Sequence, residues 1–451
     1  MTVTTEKTEI FERLPVPKAV RKLIIPTIMS SLVMVLYSLA DTLFVGMLND
    51  PLETGAVTLA APVLLAFNAV NNLFGVGCAS LISRSMGRKD YKLAKETGAF
   101  GFYCAIISGL LFSLLCTVFK EPLLAILGAK ATSHDATDRY MLWTVTMGAV
   151  PSILNVVMSQ LIKAEGLALH ASLGAMSGCI LNIILDPVFV LPGFLGMGAA
   201  GAGCATFISN CVACLYFIVM MMIKRGKIIL DVKPSNFHAN KKMIREICTV
   251  GVPASIQNLL NVTGMTVLNS FMSVYGAEAV SAIGIAHKLA LLPMYIAMGI
   301  SQGVMPLVGY NFASGNRRRM RDSVICSAKI SLCIMLLGTA AFCIFSKDII
   351  SVFMKNTLVV SYGSAFLIAQ SLAQPFLSVD FLGVGVFQAC GMGRKSFIFA
   401  ILRKIVLEIP ALFVLGKLFP MYGLAWAGTF AEVILSVAAV LELKKILHVV
   451  E

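Results

Sequence analysis

Apolar runs of roughly 20 residues or more follow one another along the whole chain, each long enough to cross a bilayer core at about 1.5 Å rise per residue. They fall near 23–47, 56–83, 96–119, 139–163, 170–191, 199–223, 246–275, 279–309, 323–346, 359–390, 396–416 and 422–442. The pattern predicts an all-α polytopic membrane protein with twelve transmembrane helices. The first run, LIIPTIMSSLVMVLYSLADTLFVGM, is broken by a single carboxylate, Asp41, and carries Pro26 near its start. An acid in that setting costs at least about 2.5–3.5 kcal/mol on insertion scales, and a proline can bend the helix. Together they point to a coupling element with Pro26 as its hinge.

Composition agrees with the pattern. The chain is 58% hydrophobic and 13% charged, against about 25% charged for a soluble domain. The net charge of +13 raises nucleic acid as a partner. The basic residues instead cluster in alternate connections between apolar runs, as the positive-inside rule expects. One side holds Lys7, Arg13, Lys18, Arg21, the 84–95 and 224–245 stretches, Lys163, Arg317–Arg321, Arg394 and Lys444. The other holds few, among them Lys120, Lys130 and Lys417. Both termini are therefore expected in the cytoplasm, in a cell (inner) membrane protein without a cleaved leader, in contact with lipid and not with nucleic acid. The twelve Cys read as small apolar residues, and the five His show no metal spacing.

The basic stretch 224–245 divides the chain into halves that look alike. Pro26 matches Pro253, Phe44 matches Phe271, Pro151 matches Pro375, and MGAAGAG at 197–203 matches YGLAWAG at 422–428. Six helices per half make the repeat parallel, with a pseudo-twofold axis along the membrane normal. The expected organisation is a cytoplasmic segment 1–22, an N-lobe 23–223, a linker 224–245, a C-lobe 246–442 and a tail 443–451.

Few ionisable residues lie inside the runs. Asn182 and Asp186 in ILNIILDPVFV are four apart, on one helical face, and Pro187 frees a carbonyl one turn back. This oxygen-rich set, with Asp41 at a compatible depth, suits a proton or a hard cation. Asp380 stands in the other half, with Gln257 and its neighbouring amides expected around it and Lys288 as a partner. Glu408 and Glu432 read as structural. Tyr37, Asn68, Asn155 and Gln302 add aromatic and amide groups suited to a permissive substrate cavity. No nucleotide-binding or hydrolase motif occurs, so no enzyme activity and no cofactor is expected, and energy has to come from an ion gradient.

At these residues the chain resembles the multidrug and toxic compound extrusion (MATE) family. The likeness rests on PTIMSSLVMVLYSLADTLFVG, AEGLALHASLGAMSGCILNIILDPVFV, GMGAAGAGCAT, GISQGVMPLVGYNFASGNRRRMR and FQACGMGRKS, in that order. It implies two six-helix lobes around a central cavity and export of organic cations or related drugs by H+ or Na+ antiport, here by a chain expected to be monomeric. It also implies that Asp41, Asn182, Asp186 and Thr206 form an N-lobe site for Na+ or a proton. Where some members have an acid in the seventh helix, this chain has Gln257, so a second ion site at Asp380 is left open. The alternatives are a flippase or exporter of lipid-linked precursors or metabolites within the same superfamily, which tends to need cavity arginines, and a non-transporting receptor or scaffold.

Overall fold

The computed structural model describes residues 9–48, 50–129 and 133–448. Lys7, Lys130 and the tail end 449–451 lie outside them. The described residues form helices and connections, with no strand. In chain order the helices are α1 (Val16–Gly46), α2 (Pro51–Gly87), α3 (Tyr91–Val118), α4 (His134–Thr146 and Ala149–Ala164) and α5 (Ala168–Val190). Then come α6 (Ala199–Ile223), α7 (Lys241–Met272), α8 (Ala277–Ala313), α9 (Arg317–Ile344), α10 (Thr357–Ala389), α11 (393–418) and α12 (Tyr422–His448).

Nine of these pass a length-and-hydropathy test for a span, and α4 passes as a pair bent by 44°. The two others are more polar. Gln257, Asn258 and Asn261 interrupt α7, and Arg403, Lys404 and Glu408 interrupt α11. Twelve helices bring the start of α1 and the end of α12 to one end of the bundle, here termed the basic end.

Short polar connections start the helices cleanly. Asp50, Asp90, Asn240, Asn316 and Asn356 each accept a backbone N–H of the first turn, which satisfies donors the helix cannot. Pro15 and Pro17 begin α1 ahead of its apolar run, at positions where a missing N–H costs nothing. α1 then continues through Pro26 without a break. Wider π-type turns lie inside α2 (Asn71–Val76), α4 (Leu142–Thr146) and α11 (Leu402–Glu408). Such turns recur at functional sites.

α1 packs against α5 within its own half and against α8 of the other, and α8 packs against α10. The side-chain bonds between the halves gather from mid-bundle to the basic end. Thr27 Oγ1 donates to the Gly299 carbonyl at 2.8 Å, Ser255 Oγ to Ala69 at 2.5 Å and Ser80 Oγ to Gln388 at 2.5 Å. Arg84 pairs with Glu246 at 3.1 Å. Gly299 permits the α1–α8 contact, because a Cβ there would lie 3.0 Å from the Thr27 carbonyl oxygen.

A helical turn ahead of α1 covers this closed end. Phe11 is fully buried and stacks on Tyr310 of α8 with ring centroids 4.8 Å apart. The Arg319 guanidinium donates to the carbonyls of Phe11 and Leu14 at 2.5 Å each and of Ile10 at 3.1 Å. Gly166, at φ +83°, lies under the same ring, with no room for a side chain. The turn thus ties the α4–α5 connection to α8 and α9.

Candidate functional site

α5 brings Asn182 and Asp186 to one face, as the spacing of four requires, and both are buried, at 2% and 0% exposure. With its nitrogen turned to the carboxylate, the Asn182 amide donates to Asp186 at 2.8 Å and accepts from the Thr206 hydroxyl of α6 at 3.1 Å. Asp41 of α1, half-buried, stands close enough to Asp186 for the two carboxylates to interact. Tyr37, one turn before it, adjoins both Asp41 and Thr206. Tyr140 of α4, 6% exposed, adjoins both acids.

The site is thus two carboxylates, one amide and three hydroxyls contributed by four helices. Among the described residues neither acid has an ion-pair partner, while Arg84, Arg403 and Lys404 all have one. Two adjacent anions out of water are unfavourable unless a proton or cation is shared between them. No group of three or more His, Cys, Asp or Glu among the described residues is placed to hold a metal ion.

Tyr140 was not reached from the sequence. It sits in the polar first turns of α4, so its signal, a hydroxyl at the depth of Asp41, carries no apolar-run contrast. The other predicted residues scatter. Asn155 donates to Asn210 of α6 at 3.0 Å, and Asn210 donates to the Thr206 carbonyl at 2.9 Å, so Asn155 reaches the site only through α6. Asn68 is exposed on α2, and its carbonyl accepts from Asn72 at 2.9 Å. Gln257 is half-buried on α7. Gln302 accepts from Gln160 and Lys163 of α4, both at 3.3 Å, and so joins the halves. Lys163 belongs to α4 itself and not to a connection.

The expectation for Asp380 is corrected. Arg403, carried on the π-type turn of α11, pairs with Asp380 and also with Glu432 of α12 at 3.1 Å. Lys288 is exposed on α8 and forms no ion pair among the described residues, and no α7 amide bonds Asp380 there. A guanidinium carries several in-plane N–H donors and can take both acids, which an ammonium on α8 does not reach. Glu408 is held by Lys404 one turn earlier at 2.6 Å.

Comparison with known proteins follows this geometry. The MatE family profile matches residues 26–188 and 253–414. The chain is 34% identical over 435 residues to the multidrug export protein MepA of Staphylococcus aureus strain MRSA252, covering 96% of this chain and 94% of the relative. It is 32% identical to the MepA of Staphylococcus saprophyticus, with the same coverage. Among solved structures, one described as MATE in the straight conformation superposes with a TM-score of 0.92 at 24% identity, covering 99% of each chain. One described as MATE in the bent conformation gives 0.88 at 23% identity, covering 100% of this chain and 98% of that one. The two profile matches cover both halves of the bundle, and the chain belongs to the MATE family of multi-pass membrane transporters.

Proposed function

We propose that the chain exports drug-like organic cations and related small molecules, driven by antiport of H+ or Na+ at the N-lobe site. The observation that carries this reading is the Asp41–Asp186 pair, two carboxylates within the bundle that no side-chain cation among the described residues neutralises. The multidrug export named for its MepA relatives supports the substrate class.

The basic end faces the cytoplasm in this reading, by the positive-inside rule. The seam there is closed from Thr27–Gly299 to the Phe11 turn, and in this reading drug leaves by the opposite end. From outside, an ion enters between Asp41 and Asp186, where Asn182 and Thr206 orient the carboxylate. Neutralising the pair removes the repulsion between α1 and α5. α1 then shifts about Pro26, which lacks the N–H that would stiffen that turn, and the drug leaves outward. The ion acts only through unequal binding to the two states.

The test is export of a cationic dye from vesicles under an imposed gradient. Na+ is replaced by K+ at fixed pH, and separately the pH gradient is collapsed at fixed Na+. One substitution abolishes uphill export and names the ion; export that survives both contradicts antiport.

A further inference from the structure

The two lobes treat their buried acids differently. In the N-lobe, Asp41 and Asp186 pair with no cationic side chain among the described residues. In the C-lobe, Asp380 of α10 and Glu432 of α12 both pair with the Arg403 guanidinium. These three side chains are 1%, 6% and 3% exposed, so solvent does not screen them. Phe381 closes the guanidinium face at 4.6 Å. Lys404, the next basic residue, pairs with Glu408 at 2.6 Å and lies near enough to Glu432 to interact with it, whereas it pairs with no second acid among the described residues.

We propose that Arg403 is a tethered counter-cation, filling the space between two C-lobe carboxylates that would otherwise hold a mobile cation such as Na+. The proposal rests on the export reading above and restricts it. With its acid pair occupied by a side chain, the C-lobe binds no coupling ion, and coupling falls to the N-lobe. The chemistry is that of interchangeable cations. Nε of Arg403 serves Glu432 and Nη2 serves Asp380, so carboxylate oxygens from two helices converge on one centre. Hard oxygen donors of this kind suit Na+ once the guanidinium is gone. The π-type turn at Leu402–Glu408 aims Arg403 inward, where a regular helix would rotate it differently.

The test is thermal melting of purified protein in a NaCl series held at constant ionic strength with choline chloride. Arg403→Ala, purified in NaCl, is expected to gain a saturable Na+-dependent rise in Tm, at least about 3 °C beyond that of the wild type. Arg403→Lys keeps the wild-type response, and adding Asp380→Asn to Arg403→Ala removes the gain. A folded Arg403→Ala protein without extra Na+ dependence overturns the proposal. So does an Arg403→Ala protein that aggregates at every NaCl concentration, because the vacated acids then accept no ion. Melting needs no transport, so failure of the export reading leaves this result readable.

Discussion

Asp41 on α1 lies near enough to Asp186 on α5 to interact with it, and among the described residues no cationic side chain pairs with either. The acid pair joins the helix that seals the seam to α8, through Thr27 and Gly299, to a helix that stays within its own lobe. Whatever binds there acts on α1.

Asp186→Asn removes one of two adjacent buried charges while keeping size and hydrogen-bonding capacity. The variant is expected to melt no lower than the wild type, because a buried acid is a stability cost retained for function. Uphill export should fall at least about tenfold, taking the coupling energy lost as about 1.4 kcal/mol or more. Melting curves and vesicle export on the same preparation check both.

Asn182 and Thr206 orient Asp186 without carrying charge. Asn182→Ala should therefore leave the maximal export rate nearly intact and weaken the coupling ion's apparent affinity, by roughly tenfold on the scale of supporting-shell effects. An ion titration of export rate separates the two parameters.

The seam between the halves can be locked. Arg84 of α2 and Glu246 of α7 meet across it at 3.1 Å, so the pair Arg84→Cys with Glu246→Cys should be joined by a short, reducible bifunctional thiol reagent. Export should stop and should return on reduction. Cross-linking that leaves export untouched means the seam does not open during the cycle.

Phe11 offers a stability test at the basic end. Its ring is buried against Tyr310 and Gly166, and Phe11→Ala should cost about 3–5 kcal/mol where the site cannot collapse. Unfolding in denaturant measures it. A change under about 1 kcal/mol would mean the turn contributes little to closure.

The sequence made the helices and the N-lobe site legible for the same reason. Against an apolar background one carboxylate stands out, and the spacing of Asn182 and Asp186 fixes a shared face whatever the packing. The partner of Asp380 was not legible, because which of α7, α8 or α11 lies beside α10 depends on packing that spacing does not encode. Arg403 also sits on a π-type turn, which shifts its direction from that of a regular helix. Lys163 was assigned to a connection because it stands just before Glu165 and Gly166; in the structure α4 runs past it to Ala164, and its ammonium reaches Gln302. Phe11 lay in a segment too polar to predict burial, and it is the Tyr310 ring and the Arg319 guanidinium that bury it.

The most direct measurement compares wild type and Asp41→Asn in reconstituted vesicles, recording both gradient-driven export of a cationic dye and dye exchange at equilibrium. The account predicts that Asp41→Asn keeps exchange and loses uphill export, because the cavity survives while the ion no longer discriminates between states. Uphill export at the wild-type rate in Asp41→Asn would contradict it.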